Sequence, residues 1–221
     1  MDSFERLSGE IVQCRKCPRL VGWREQVASE KRAAFRDWEY WGRPLPGFGD
    51  PQAKLVVVGL APAAHGGNRT GRVFTGDRSG DWLYRALHRA GYANQPNSDQ
   101  RDDGLRLKGA YVTAAVRCAP PGNKPTTEER DACLPYLERE LTLLRHARVI
   151  VPLGGLAYQA VSRLTGLRPR PRFGHGVEAH LSDGRIVLCS HHPSQQNTFT
   201  GRLTEEMLDA VFRRARGLAR L

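Results

Sequence analysis

Four short runs of β-branched and apolar residues recur along the chain, each closed by a loop rich in Gly, Pro or Ser and followed by a segment of helical periodicity. The runs are 54–60, 110–116, 149–155 (with its turn) and 185–189. Runs this short and this apolar suit strands buried on both faces. Between them, Leu83, Ala86, Leu87 and Ala90 predict a helix that Asp81 opens and Gly91 stops. Thr126 and Glu129 have capping-box spacing ahead of a stripe of Leu134, Leu137, Leu141 and Leu144. A further helix is expected over 156–164, and Thr204 opens a last one carrying Met207, Leu208, Val211 and Ala215. The alternation predicts an α/β fold: a three-layer α/β/α sandwich with a central, mainly parallel four-stranded sheet. Such sheets bind ligands at the carboxyl ends of their strands, here segments 59–77, 118–125, 154–155 and 190–202.

A chain of 221 residues, 40% hydrophobic and 26% charged, suits one globular domain over 1–221, with a distinct N-terminal segment of about 50 residues. The net charge is +11, and 29 of the 34 basic residues are Arg, whose planar fork matches phosphate oxygens. Nucleic acid is therefore the partner that charge suggests. No apolar window approaches the ~20 residues of a membrane span, and the opening residues lack a signal-peptide pattern. A cytoplasmic protein without a membrane partner is expected.

In that compartment the five cysteines read as metal or redox chemistry rather than disulfides. Cys14 and Cys17 form a Cys-x2-Cys pair, Cys118 and Cys133 bracket fourteen residues, and Cys189 reads as a small buried hydrophobe inside a strand. Four thiolates suit tetrahedral zinc or a [4Fe–4S] cluster, and spacing does not choose between them. The segment 59–72 follows a strand with four glycines, a His and two arginines, as an anion-binding loop would, but it lacks both the P-loop and the dinucleotide fingerprint. The segment His191-His192-Pro193-Ser194-Gln195-Gln196-Asn197-Thr198 also follows a strand and is dense in donors and acceptors.

Together these segments resemble the iron–sulfur branch of the uracil-DNA glycosylases, specifically family 5, the B-type enzymes. The matching stretches are Cys14-x2-Cys17-Pro18-Arg19-Leu20, the loop 59–72 with Phe74-Thr75-Gly76-Asp77, residues 116–125, and His192-Pro193-Ser194-x2-Asn197. They span almost the whole chain. Helix–hairpin–helix glycosylases, with four closely spaced cysteines near one end, do not match. Zinc base deaminases need His-x-Glu and Pro-Cys-x-x-Cys, and neither occurs.

The resemblance implies a structural [4Fe–4S] cluster on Cys14, Cys17, Cys118 and Cys133. It also implies a monomer that excises uracil, and other deaminated bases, from double-stranded and single-stranded DNA. Phe74 would stack on the flipped base, Asn123 would read its polar edge, and His192 would bond the carbonyl on which charge develops. The sequence departs from related iron–sulfur enzymes in one respect: residues 60–72 contain no Asp or Glu to activate water. A dissociative path is therefore expected, with water held by backbone groups of Ala63 and Ala64 and with Asp77 as orienter or electrostatic partner. Arg69, Arg72, Lys124 and Arg202 are the expected phosphate contacts, and Gln195, Gln196 and Asn197 lie where this superfamily inserts a wedge into DNA. Two competing readings are a non-catalytic iron–sulfur protein that senses damaged DNA, since the acid is missing, and a zinc-bearing hydrolase or scaffold.

Overall fold

The computed structural model describes residues 2–220. Its central sheet has six strands in the order β1-β3-β2-β4-β6-β5. The strands are β1 (Phe48–Gly49), β2 (Leu55–Gly59), β3 (Ala110–Ala114), β4 (Val149–Pro152), β5 (Glu178–His180) and β6 (Ile186–Leu188). The inner four run parallel, Val57 pairing with Val112 on one side and Val151 on the other. Both edge strands are antiparallel, β1 to β3 and β5 to β6. The four expected strands are thus the parallel centre, and the sheet is two strands wider than expected. Each edge strand is only two or three residues long and exists through its pairing, so it leaves no periodic signal.

Alternation along the strands builds the layers. Leu55, Val57, Val112 and Val151 face α4 (Arg78–Arg89) and α8 (Glu205–Leu218), meeting Leu83, Leu87, Leu208 and Phe212. Val56, Val58, Ile150 and Val187 face α5 (Thr127–Leu143) and α6 (Gly155–Thr165), meeting Leu137, Leu141, Ala157 and Val161. The capping box of Thr126 and Glu129 forms as expected. The start of α4 requires a correction. Asp77, not Asp81, is its N-cap, accepting from Gly80 N at 3.0 Å. The left-handed turn at Gly76 (φ 74°) presents Asp77 to the first free amides, leaving Asp81 inside the first turn.

The N-terminal segment is two helices, α1 (Phe4–Val12) and α2 (Pro18–Glu30). Leu7, Ile11 and Leu20 bury against Val116, Cys118, Cys133 and Tyr136, forming a small third core at one end of α5. Arg117 and Glu140, each 1% exposed, pair behind it at 2.7 Å. Such a pair locks the backbone just before Cys118, because a lone charge there would have no solvent to replace its partner.

Candidate active site

The loops at the carboxyl ends of β2, β3, β4 and β6 hold the expected chemistry. After β2 the chain crosses the short helix α3 (Gly67–Thr70) and reaches Phe74, whose φ is +51°. Left-handed backbone at a bulky residue costs free energy that the surroundings must supply. The surroundings do so by close packing. A Cβ added to Gly59 would lie 2.6 Å from two ring atoms of Phe74, and one added to Gly80 would lie 1.9 Å from its carbonyl oxygen. On its other side the Phe74 ring meets His192, with centroids 5.8 Å apart.

His192 lies on the extended segment after β6, held by its neighbours' backbone groups. Asn197 Nδ2 donates to the His192 carbonyl at 2.8 Å. The preceding residue is fixed twice, His191 N donating to His175 Nδ1 at 3.2 Å and Ser190 Oγ donating to the His191 carbonyl at 3.0 Å. Burial of the His192 ring pushes its pKa down to about 4, so the imidazole is neutral at physiological pH. A neutral ring donates from one nitrogen only, as an electrophilic histidine requires.

Asp77 reaches into the first loop. A Cβ on Gly66 would lie 2.1 Å from Asp77 Oδ2, so the carboxylate rests on that glycine while Oδ1 caps α4. Desolvation raises its pKa above the ordinary carboxylate value, partly offset by the amides of Gly80 and Ser79. Of the backbone groups of Ala63 and Ala64 expected to hold water, the Ala63 carbonyl accepts from Gly66 N and Asn68 N, at 3.3 and 3.1 Å. Ala64 lies in the same turn. Asn123 ends an exposed 3-10 turn (Pro121–Asn123) with φ +58°, and no described hydrogen bond links its side chain to Phe74 or His192.

Two expected phosphate contacts are corrected by their burial. Arg69, 4% exposed, donates to the carbonyls of His65 at 2.8 Å and Gly76 at 2.9 Å. Its guanidinium lies in the corner between two nearly perpendicular rings, 3.9 Å from the Phe35 centroid and 4.1 Å from that of Trp38. Arg72, also 4% exposed, forms a fork to Asp103 at 2.7 and 2.9 Å and bonds Thr75 and Ser98. Both arginines serve as internal staples of the loop, because a five-donor fork satisfies carbonyls that a tight turn leaves unpaired. Lys124 and Arg202 remain exposed.

Gln195, Gln196 and Asn197 form a short helix, α7 (Gln195–Phe199), rather than an open loop. The two glutamines are exposed, whereas Asn197 is half-buried and engaged with His192. The helix ends on Phe199, 68% exposed with Arg78 stacked 4.4 Å over its ring. Phe199 was not singled out from sequence, although a lone Phe in a run of polar residues after His192 is a legible signal. His175 was also missed; it pairs with His191 across sixteen residues, which no local pattern encodes.

The thiols gather on the third core. Cys118 and Cys133 are buried there and Cys14 and Cys17 pack against them. Burial pushes Cys118 up to about 12 and raises Cys133 and Cys17 as well, with the neighbouring thiols adding to the shift. Among the described residues no three His, Cys, Asp or Glu side chains converge closely enough to hold a single metal ion. Arg24, 2% exposed, donates to Cys118 Sγ at 3.0 Å and to the Cys14 carbonyl at 3.3 Å, while its Nε has no partner. The guanidinium has one carboxylate near it, Glu25 at 3.7 Å, and its closest side-chain contact is the Cys118 sulfur, where a thiolate would suit a buried cation better than a neutral thiol. The donor set therefore fits an anionic sulfur centre. Cys189 is buried in its own core, as the sequence suggests.

The profile of the uracil DNA glycosylase superfamily matches residues 46–216. Type-5 uracil-DNA glycosylase of Mycobacterium tuberculosis is 58% identical across 98% of this chain and 82% of its own length. The type-5 enzyme of Thermus thermophilus is 55% identical across 96% of both chains. A type-4 uracil-DNA glycosylase of Pyrobaculum aerophilum is 30% identical across 86% of this chain and 83% of its own. Phe74, Asp77 and His192 at the ends of parallel strands thus stand on a scaffold with a known lineage: the chain belongs to the uracil-DNA glycosylase superfamily, within its type-5 branch.

Proposed function

We propose that the protein is a DNA glycosylase that turns a uracil nucleotide out of the DNA stack and hydrolyses its N-glycosidic bond, leaving an abasic site. The observation that carries this reading is the pairing of Phe74 with a neutral, desolvated His192 at the strand ends. A flipped pyrimidine stacks on Phe74 while His192 donates to its carbonyl. As the C1′–N1 bond breaks, its electron pair passes into the base, and that hydrogen bond strengthens with the developing negative charge. Asn123 swings over the base edge to match its donor and acceptor. Water then adds to C1′, held by the loop over 63–66, and its proton leaves to solvent or to the departing base. Asp77, resting on Gly66, supplies the carboxylate that residues 60–72 lack, and it balances positive charge on the sugar.

Phe199, the most exposed large apolar side chain described, enters the gap left by the extruded nucleotide, as apolar wedges do elsewhere. Arg202 and Lys124 meet phosphates of double-stranded or single-stranded DNA, and the protein acts as a monomer in the cytoplasm. No described helix is long and apolar enough to cross a membrane.

Cys14, Cys17, Cys118 and Cys133 would hold a [4Fe–4S] cluster, which staples the N-terminal helices to the loop after β3. Four thiols at one core are the ligand number that such a cluster takes. Arg24 extends that staple to the active site, since its own carbonyl accepts from Asn68 Nδ2 at 3.2 Å in the loop after β2.

The test is incubation with uracil-containing duplex followed by alkali. Strand cleavage at uracil supports the reading. Tight binding without alkali-labile sites would assign the protein to damage sensing instead.

A further inference from the structure

With Arg69 and Arg72 buried, the phosphate contacts of a chain carrying +11 must come from elsewhere. The segment Arg168-Pro169-Arg170-Pro171-Arg172 sets three arginines alternately with two prolines. All three arginines are exposed, and among the described residues none forms an ion pair, whereas Arg163 just before them pairs with Asp131 and Arg185 after them with Asp183.

The topology carries this segment up towards the mouth of the site, which its last residues reach. Helix α6 starts at the carboxyl end of β4 and descends, and β5 must begin beside Leu188 at the carboxyl end of β6. The chain from 166 to 177 therefore climbs back along α6. Tyr158, in the first turn of α6, donates to the Pro171 carbonyl at 2.7 Å, pinning the strap near the top. Phe173 then packs 5.8 Å from Tyr158 and 5.9 Å from His191, and His175 accepts from the His191 amide. The exit of the strap is thus bonded to the residue before His192. Arg202 is exposed and its charge helps to lower the pKa of His191, after burial and His175.

We propose that Arg168, Arg170 and Arg172 form a phosphate clamp for the DNA backbone beside the site. Proline fixes φ at two of the five positions, so less backbone freedom is lost on binding than in an open loop. Unpaired guanidinium groups release DNA counterions without first breaking protein ion pairs. This surface deepens the glycosylase reading and rests on it for the identity of the bound nucleic acid.

The experiment measures anisotropy of a duplex bearing a non-cleavable 2′-fluoro-deoxyuridine across a range of NaCl concentrations. Replacing all three arginines by Ala is expected to reduce the log–log salt slope by about 2–3, at roughly 0.9 per lost phosphate contact. Replacing them by Lys restores most of the slope, which separates lost charge from a disturbed strap. Arg145→Ala with Arg148→Ala removes charge from the groove at the opposite end of the sheet, and is expected to leave the slope unchanged. The clamp is overturned if the triple Ala variant keeps the parental slope, or if the Arg145/Arg148 variant loses as much. Uracil excision by the unsubstituted protein is scored separately, so absent excision with a strap-dependent slope sinks the catalytic reading alone, and excision with a strap-independent slope sinks the clamp alone.

Discussion

Asn197 Nδ2 donates to the backbone carbonyl of His192 at 2.8 Å, which makes the helix after the catalytic segment a brace for its histidine. The residue reads from sequence as a DNA-facing wedge, but its amide points inward. Asn197→Ala should therefore slow single-turnover excision by about 10-fold or more, because misplacing a group by an ångström can cost up to ~10² in rate. Affinity for uracil-free duplex should change little. A variant that loses duplex affinity while keeping its rate would return Asn197 to the DNA interface.

His192 sets the acid behaviour of the site. Its pKa is pushed down to about 4 by burial, so the neutral donor persists well below the ordinary histidine value of 6.5. No inflection near pH 6.5 is expected in the single-turnover rate. The same shift acts on stability. The folded state binds this proton less readily than the unfolded chain, so the contribution is full above pH 6.5 and is lost as pH falls from there towards 4. His192→Ala should remove that pH-dependent loss and cost about 10²–10³ in rate, the usual cost of one well-aimed donor. A rate inflection at pH 6.5 that vanishes in the variant would show that His192 is solvated and titrates normally.

The sulfur pocket yields an iron measurement. Cys118→Ala should lose iron and destabilise the chain, whereas Cys189→Ala, in a different core, should keep full iron. Arg24→Leu removes the buried cation 3.0 Å from Cys118 Sγ and should make iron more easily lost to chelators. Full iron in Cys118→Ala excludes this ligand set, and zinc in place of iron excludes the cluster.

The parallel strands were legible because burial on both faces demands an unbroken apolar run, and 55–59 or 149–152 offer nothing else. The Cys-x2-Cys and the His192 segment were legible because polar residues were concentrated where strands end. Other features depend on partners distant in sequence. Arg69 and Arg72 read as phosphate contacts because arginine is seldom buried, and burial is tolerable through partners such as the carbonyls of Gly76 and His65 and the acid of Asp103. Strand β5 is defined by its pairing with β6, and α2 is too polar to announce itself. Asp81 reads as the cap because it directly precedes the apolar stripe, and only the turn at Gly76 shows that Asp77 opens the helix.

Phe199 offers a further check on DNA distortion. As a wedge, it should be replaceable by Leu with modest loss, whereas Phe199→Ala should weaken flipping of a base-paired uracil. Excision from single-stranded DNA, which needs no gap filled, should suffer far less. Equal losses on both substrates would mean that Phe199, with Arg78 over its ring, serves a contact other than the wedge.

Asp77 performs two tasks that a single substitution can separate. It caps α4 through Gly80 N, and it rests on Gly66 in the loop proposed to hold water. Asn caps helices about as well as Asp, so Asp77→Asn should keep nearly all of the cap, whereas Asp77→Ala loses ~1 kcal/mol of it. The Asn variant removes only the charge. If bond breaking is largely complete before water attacks, the charge acts on a cationic sugar from a distance. Asp77→Asn should then cost less in single-turnover rate than His192→Ala or Asn123→Ala, with enzyme in excess so that product release does not mask chemistry. Burial raises the pKa of Asp77, so whatever its charge contributes is lost as pH falls through a value above the ordinary 3.8, and the Asn variant should lack that acid limb. Should Asp77→Asn fold, bind DNA and yet be the slowest of the three, the carboxylate would be a general base and water activation would govern the reaction.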